Sequence, residues 1–405
     1  MRRLPRLLLI ALAAAPLLAL LPILVAWWLT LPTTPDPFYN ATYRVPFRPG
    51  TLLRQEPFTR GVPEGAVAWR ILHATTRDDG SPTLASAIVM VARAAPAGPR
   101  PVVAWTHGTT GIVRGCAPSL LGDPFAHVPA LQPLLAQGWV FVATDYVGLG
   151  AAGIHPYLVG TGQARSALDA VRAARQMAGV ALAADRTVVW GHSQGGHAAL
   201  WAGMLAPAYA PDVPLAGIAA LAPASDLPAL MSAVHHTPVG RITSAYVLQA
   251  YSDTYGDVKF DAYARGWPAL MARDIASRCL AGGKAVFTAL EAVAVGGSIF
   301  STSPTGGALG LRLAENTPLG PWAQPVLVAQ GMADELVLPG VQSGFVAARC
   351  QAGRVIDYRR YAGRDHLSVV AGDSPLVGEL VAWTRERFSG VAPEAACRTA
   401  PIRSP

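Results

Sequence analysis

Short apolar runs rich in β-branched residues recur along the chain at 85–93, 101–105, 139–144, 187–190, 215–221, 325–329 and 355–361. These are candidate buried strands. Between several of them the hydrophobic period changes to that of a helix. In 163–177, Ala164, Ala167, Leu168, Val171 and Ala174 share one face while Arg165, Asp169, Arg172 and Arg175 lie elsewhere, and 340–350 and 376–388 behave alike. Strands alternating with helices predict an α/β fold, a mostly parallel central sheet with helices on both faces.

The interval 225–320 breaks this alternation. It is too long for a connection between two core strands and contains helix-like pieces such as 260–279, so it predicts a cap inserted over the C-terminal edge of the sheet. The expected organisation is then an N-terminal segment 1–31, a proline-rich linker and wrapping segment 32–84, core segments 85–224 and 321–390 around the cap, and a tail 391–405.

Hydrophobic residues make up 52% of the chain and charged residues 14%, which excludes disorder and asks for one strongly apolar segment. That segment is N-terminal. Arg2, Arg3 and Arg6 precede an uncharged run from Leu7 to about Leu31, the layout of an export signal. The run exceeds the roughly 7–15 residues of a secretory core and reaches the about 20 needed to span a bilayer. Pro16 and Pro22 interrupt it, and Trp27 and Trp28 resemble an interfacial belt. An uncleaved signal anchor and a long cleaved signal peptide both leave the body outside the cytoplasm, membrane-anchored or secreted.

Cys116, Cys279, Cys350 and Cys397 suit an oxidising compartment and lack the spacing of a metal site. Three pairings are open; Cys116 with Cys279 and Cys350 with Cys397 is preferred, although spacing does not decide. The net charge of +7 comes from scattered arginines with only two lysines, and no basic run follows the N-terminus, so nucleic acid is not an expected partner.

The chemistry is carried by Gly191-His192-Ser193-Gln194-Gly195-Gly196, a serine inside GxSxG that follows the strand-like run 187–190. In a strand-to-helix elbow of this kind the serine hydroxyl is pushed above the sheet, and Gly191 and Gly195 are the small residues that fit beside it. A serine hydroxyl needs a base, and the base needs an acid to fix its tautomer. Among nine histidines, His192 and His197 sit too close in sequence to fold back, His107 ends a strand, and His235 and His236 fall in the cap. His366 follows the last strand, where a base can reach back over the sheet. Asp334 follows the strand 325–329 and is the preferred acid, with Glu335 and Asp226 behind it. The order Ser193, Asp334, His366 is that of α/β-hydrolases. An oxyanion needs preplaced donors; these are expected from the backbone of Gln194 and from Thr109 or Thr110 in His107-Gly108-Thr109-Thr110-Gly111, with Thr110 preferred.

These residues resemble the secretory lipases of the α/β-hydrolase superfamily, whose best-known members are fungal lipases of the A type. The likeness runs from about Ala85 to Phe388. It rests on 104–111 with Cys116-Ala117-Pro118-Ser119, on Thr144-Asp145-Tyr146-Val147-Gly148-Leu149-Gly150, on the elbow, on 334–339, and on Asp365-His366-Leu367. The resemblance implies the same nucleophile, acid and base, and an oxyanion donor at Thr110, where fungal members carry aspartate. Gln194 and Gly196 replace a fungal Gly and Ala. It also implies a disulfide from Cys116 to Cys279 and a helical cap shaping an acyl tunnel. The expected activity is hydrolysis of lipid-like acyl esters without metal or organic cofactor. Acyl transfer, peptide hydrolysis and a non-catalytic binding role are the alternatives on the same fold.

Overall fold

The computed structural model describes residues 25–41, 48–94, 98–392 and 396–403. The N-terminal run expected as an export signal therefore lies, up to residue 24, outside the described residues. No helix among the described residues is long and apolar enough to cross a membrane.

Ten strands form one sheet: β1 (Leu52–Phe58), β2 (Ala66–Thr76), β3 (Pro82–Ala92), β4 (Arg100–Thr106), β5 (Val140–Val147), β6 (Leu182–His192), β7 (Leu215–Leu221), β8 (Val326–Gly331), β9 (Ile356–Tyr361) and β10 (Arg398–Thr399). Their order is β1-β2-β3-β5-β4-β6-β7-β8-β9-β10. From β5 to β10 every neighbour is parallel, while β1, β2 and β3 join by antiparallel pairing. The stretch expected to be only linker and wrapping thus contributes two strands, and the tail contributes a third.

Alternation within the strands builds two cores. Val102, Ala104, Val189, Ile218 and Val328 face one way, against the helices Gly160–Ala174, Gln194–Tyr209 and Pro339–Gln351. Val103, Trp105, Val188, Trp190 and Leu327 face the other, against Leu131–Ala136 and Leu376–Phe388. Burial of this apolar area is the main stabilising term.

The chain steps from β4 to β5 on one side, whereas β6 lies on the other side of β4. That reversal opens a crevice at the C-terminal ends of β4 and β6, where open α/β sheets bind ligands. Between β7 and β8 runs a helical insertion, from Leu227–Val234 to Gly307–Glu315, with its own core of Tyr246, Tyr251, Ile275 and Leu309. Within it the stretch 260–279 is two helices, Phe260–Tyr263 and Gly266–Ala276, broken at Ala264 and Arg265. Both disulfides have the preferred pairing, Cys116–Cys279 and Cys350–Cys397.

Candidate active site

Ser193 lies between the last residue of β6 and the first residue of the helix Gln194–Tyr209, with φ 58° and ψ −119°. A non-glycine residue there costs roughly 1–3 kcal/mol and persists only when its surroundings impose it. Here the Ser193 amide donates to the Leu221 carbonyl at the end of β7 (2.9 Å), and the Thr106 hydroxyl of β4 donates to the carbonyls of Trp190 (3.0 Å) and Gly195 (2.8 Å). A Cβ on Gly195 would overlap the Thr106 carbonyl, and one on Gly191 would overlap that of Gly195. Close approach of β4 and the elbow's own helix, rather than flexibility, therefore explains both glycines.

The expected acid and base meet. The His366 Nδ1 lies 2.8 Å from Asp334 Oδ2, so the ring donates to the carboxylate from that nitrogen and leaves Nε2 free to accept. Asp334 is inaccessible at its side chain and accepts three further bonds: from the Leu336 amide (2.9 Å), the Val337 amide (2.8 Å) and the Gln330 side chain (3.2 Å). The loops carrying the pair are fixed to one another, Met332 N donating to Tyr361 O and Ala333 N to Arg364 O, each at 2.9 Å. Of the runner-up acids, Glu335 is exposed, and Asp226 caps the helix Leu227–Val234 by accepting from Ala229 N.

His366 reaches the elbow through His192. The buried His192 ring donates from Nε2 to the His366 carbonyl (2.8 Å) and packs against its imidazole at a 40° tilt, centroids 4.8 Å apart. The Ser193 hydroxyl itself makes no hydrogen bond to the ring in this structure; catalytic contacts of this kind commonly tighten only with substrate bound. His197 points into packing, as expected, where Nε2 donates to Asn316 O at 2.7 Å and ties the elbow helix to the insertion.

Around the serine, Thr109, Ser193 and Gln194 line a cavity of about 60 Å³ whose other walls are Leu227, Leu230, Met231 and Val247 of the insertion and Leu336 and Val337 of the acid loop. Thr109 stands on the cavity wall with its hydroxyl bonded to Tyr157 (2.8 Å), whereas Thr110 is not among the lining residues. Thr110 holds the loop instead, accepting from Leu280 N (2.8 Å), while its own hydroxyl is buried without a partner. The Cys116–Cys279 disulfide and the Gly111–Cys279 bridge fasten the same loop to the insertion. A larger cleft of about 770 Å³, lined by Arg48, Arg172 and Arg175, lies away from the elbow.

One residue near the site carries no sequence signal. His155 donates from Nδ1 to the Val147 carbonyl (2.9 Å) and accepts from the Gln194 amide at Nε2 (3.1 Å), fixing the side chain beside the serine. Burial pushes His155 down to about 3, and His73, His107 and His197 down to about 4. These rings are neutral when folded but titrate near 6.5 when unfolded. As pH falls below about 6.5 the unfolded chain takes up protons that the folded chain refuses, so their stabilisation is present above that pH and lost toward about 4. The melting temperature is expected to drop across this window, and His73→Met, remote from the site, should flatten the slope; an unchanged slope would contradict the assignment.

A family model for secretory lipases matches residues 126–395. The chain belongs to the secretory lipase family. Secretory lipases are carboxylic ester hydrolases, and that is the enzyme class of this chain. The similarity extends to a lipase A from Arthroderma benhamiae, 26% identical over 92% of this chain and 83% of that protein. A lipase 4 from Candida albicans is 29% identical over 46% of this chain and 43% of its own. Among solved structures, Candida antarctica lipase A superposes with a TM-score of 0.72 at 20% identity, covering 91% of this chain and 89% of that one. A rice cell wall degrading esterase from Xanthomonas oryzae gives 0.66 at 20% identity, over 84% and 98%. These two likenesses establish the α/β-hydrolase fold expected from the alternating strands and helices.

Proposed function

We propose that this secretory lipase cleaves lipid-like acyl esters through an acyl-enzyme on Ser193. Ser193 Oγ attacks the ester carbonyl carbon as His366 Nε2 takes its proton. Asp334 holds the imidazole tautomer and offsets the charge of the imidazolium. The oxyanion is met by the Gln194 amide, at the start of its helix, and by a donor of the Thr109–Thr110 loop, where the position of Thr109 on the cavity wall favours Thr109. The C–O bond to the alcohol breaks as His366 returns the proton to it. Water, deprotonated by the same ring, then releases the acid. The observation that carries this reading is the 2.8 Å bond between His366 and a buried Asp334, set beside a strained Ser193.

Substrate class follows from the walls. Above the serine they are aliphatic side chains of the insertion, suited to an acyl chain rather than a charged group. A volume of about 60 Å³ is far below the roughly 300–1,000 Å³ of ligand pockets, so the insertion acts as a cap whose helices part to admit the chain. The N-terminal run and the family's secretory character support an exported body, released or tethered by that run.

Rates on p-nitrophenyl esters from acetyl to palmitoyl test the proposal. Hydrolysis of medium or long acyl esters exceeding that of the acetyl ester in kcat/KM is the expected result. Turnover of the acetyl ester alone would reject the lipid-like substrate while leaving the esterase chemistry intact.

A further inference from the structure

The helix Ala285–Ala294 has its polarity reversed. Its one charged residue, Glu291, turns inward to Arg278 at 3.1 Å, while Val286, Leu290 and Val293 face outward, 61%, 60% and 59% exposed. Ala289 and Ala294 fill out the same exposed face, which carries no polar side chain. A surface helix of a water-soluble body shows the opposite pattern.

Two neighbouring pieces extend this face. The helix Gly266–Ala276 exposes Trp267 and Leu270, and residues 25–29 expose Val25, Trp27, Trp28 and Leu29. Buried Arg278 joins all three: its guanidinium lies 4.5 Å from the Phe287 ring centroid and 5.2 Å from that of Trp27, and it donates to Asp274 (2.5 Å) and to Thr30 (3.2 Å). Lys284 donates to the Thr33 hydroxyl at 2.7 Å and pins the same crossing. Of the 17 large apolar side chains exposed among the described residues, nine belong to these three pieces, a concentration that marks an interaction surface rather than scattered exposure.

We propose that this face of the cap rests on a lipid bilayer, with the apolar row of Ala285–Ala294 set into the headgroup boundary. Lipid is the occupant because of what leads into the face. Residues 7–24, uncharged throughout, run directly into Val25, so the chain reaches the cap at the Trp27-Trp28 pair. Indole rings favour the membrane interface, and helices with an uninterrupted apolar face lie in it. The helix Pro238–Thr254, which supplies Val247 to the cavity over Ser193, packs against both exposed helices. A cap so placed receives acyl esters from the bilayer without passing them through water. Docking does not depend on the catalytic assignments.

All four cysteines are in disulfides, so an introduced cysteine is the single thiol. Full-length L290C and V355C are labelled with a polarity-sensitive dye, with and without phosphatidylcholine–phosphatidylglycerol vesicles that contain nitroxide lipid. Val355 is exposed just before β9, at the end of the sheet away from the site. On vesicles the label at 290 should shift to the blue and be quenched several-fold, and the label at 355 should do neither. A label at 290 that stays in water on vesicle-bound protein would overturn the proposal. So would one already shielded before vesicles are added, which would mean a second copy or another protein segment covers the face. In the triple variant V286S/L290S/V293S, hydrolysis of a vesicle-borne ester should fall several-fold with a soluble short ester unaffected; equal rates on both would also overturn it.

Discussion

Replacing Ser193 with alanine is expected to lower kcat for acyl-ester hydrolysis by about five to six orders of magnitude, with folding unimpaired. The side chain lost is small and makes no hydrogen bond to His366 or Asp334, so the fold does not lean on the hydroxyl. The strained backbone is imposed by Thr106 and Leu221, which the substitution leaves in place. On the proposed mechanism, what disappears is the attacking oxygen. The proposed oxyanion donors remain in the variant, so a residual rate above the uncatalysed one is expected. Release of p-nitrophenol from the butyryl ester measures it, and a rate near wild type would remove Ser193 from the mechanism.

Asp334→Asn is expected to cost about 10⁴-fold in kcat through the wrong tautomer of His366. Asp334 Oδ1 is held by two backbone donors, Leu336 N and Val337 N, which only an oxygen can satisfy. An asparagine therefore places its oxygen there and turns its NH₂ toward His366 Nδ1, now 2.8 Å from a donor instead of an acceptor. The ring responds by carrying its proton on Nε2, where it no longer serves as a base toward Ser193. The same NH₂ also faces the Gln330 amide, which donated to the carboxylate. Circular dichroism should show a folded variant, and a loss below tenfold would mean that His366 does not depend on Asp334 for its orientation.

Sequence made the parallel part of the sheet legible because its strands are buried on both faces and read as plain apolar runs. β1 and β2 were not, and the reason is visible in β1: it is an edge strand in which Gln55, Glu56 and Pro57 are exposed in succession, and Pro57 breaks any strand pattern. The start of the helix Gly160–Ala174 was hidden similarly. Gly160-Thr161-Gly162 reads as a loop, but a Cβ on Gly160 would run into the Trp201 ring, so glycine there serves helix–helix packing. Ser193, Asp334 and His366 could be singled out because each follows a strand at its C-terminal end, a position sequence can assign. His155 meets Gln194 only through the fold, across 39 residues, in a loop with no motif of its own. That Thr109 rather than Thr110 stands on the cavity wall is likewise a matter of side-chain direction, which loop spacing does not encode.

The claim at the centre is a covalent acyl group on one named oxygen. Enzyme mixed with p-nitrophenyl butyrate, quenched in acid within the first turnover, digested and analysed by mass spectrometry tests it directly. The expected result is a butyryl mass on the peptide containing Ser193, localised to that residue by fragmentation and absent from the alanine variant. Butyryl on a different residue, or rapid turnover with Ser193 never modified, would contradict it.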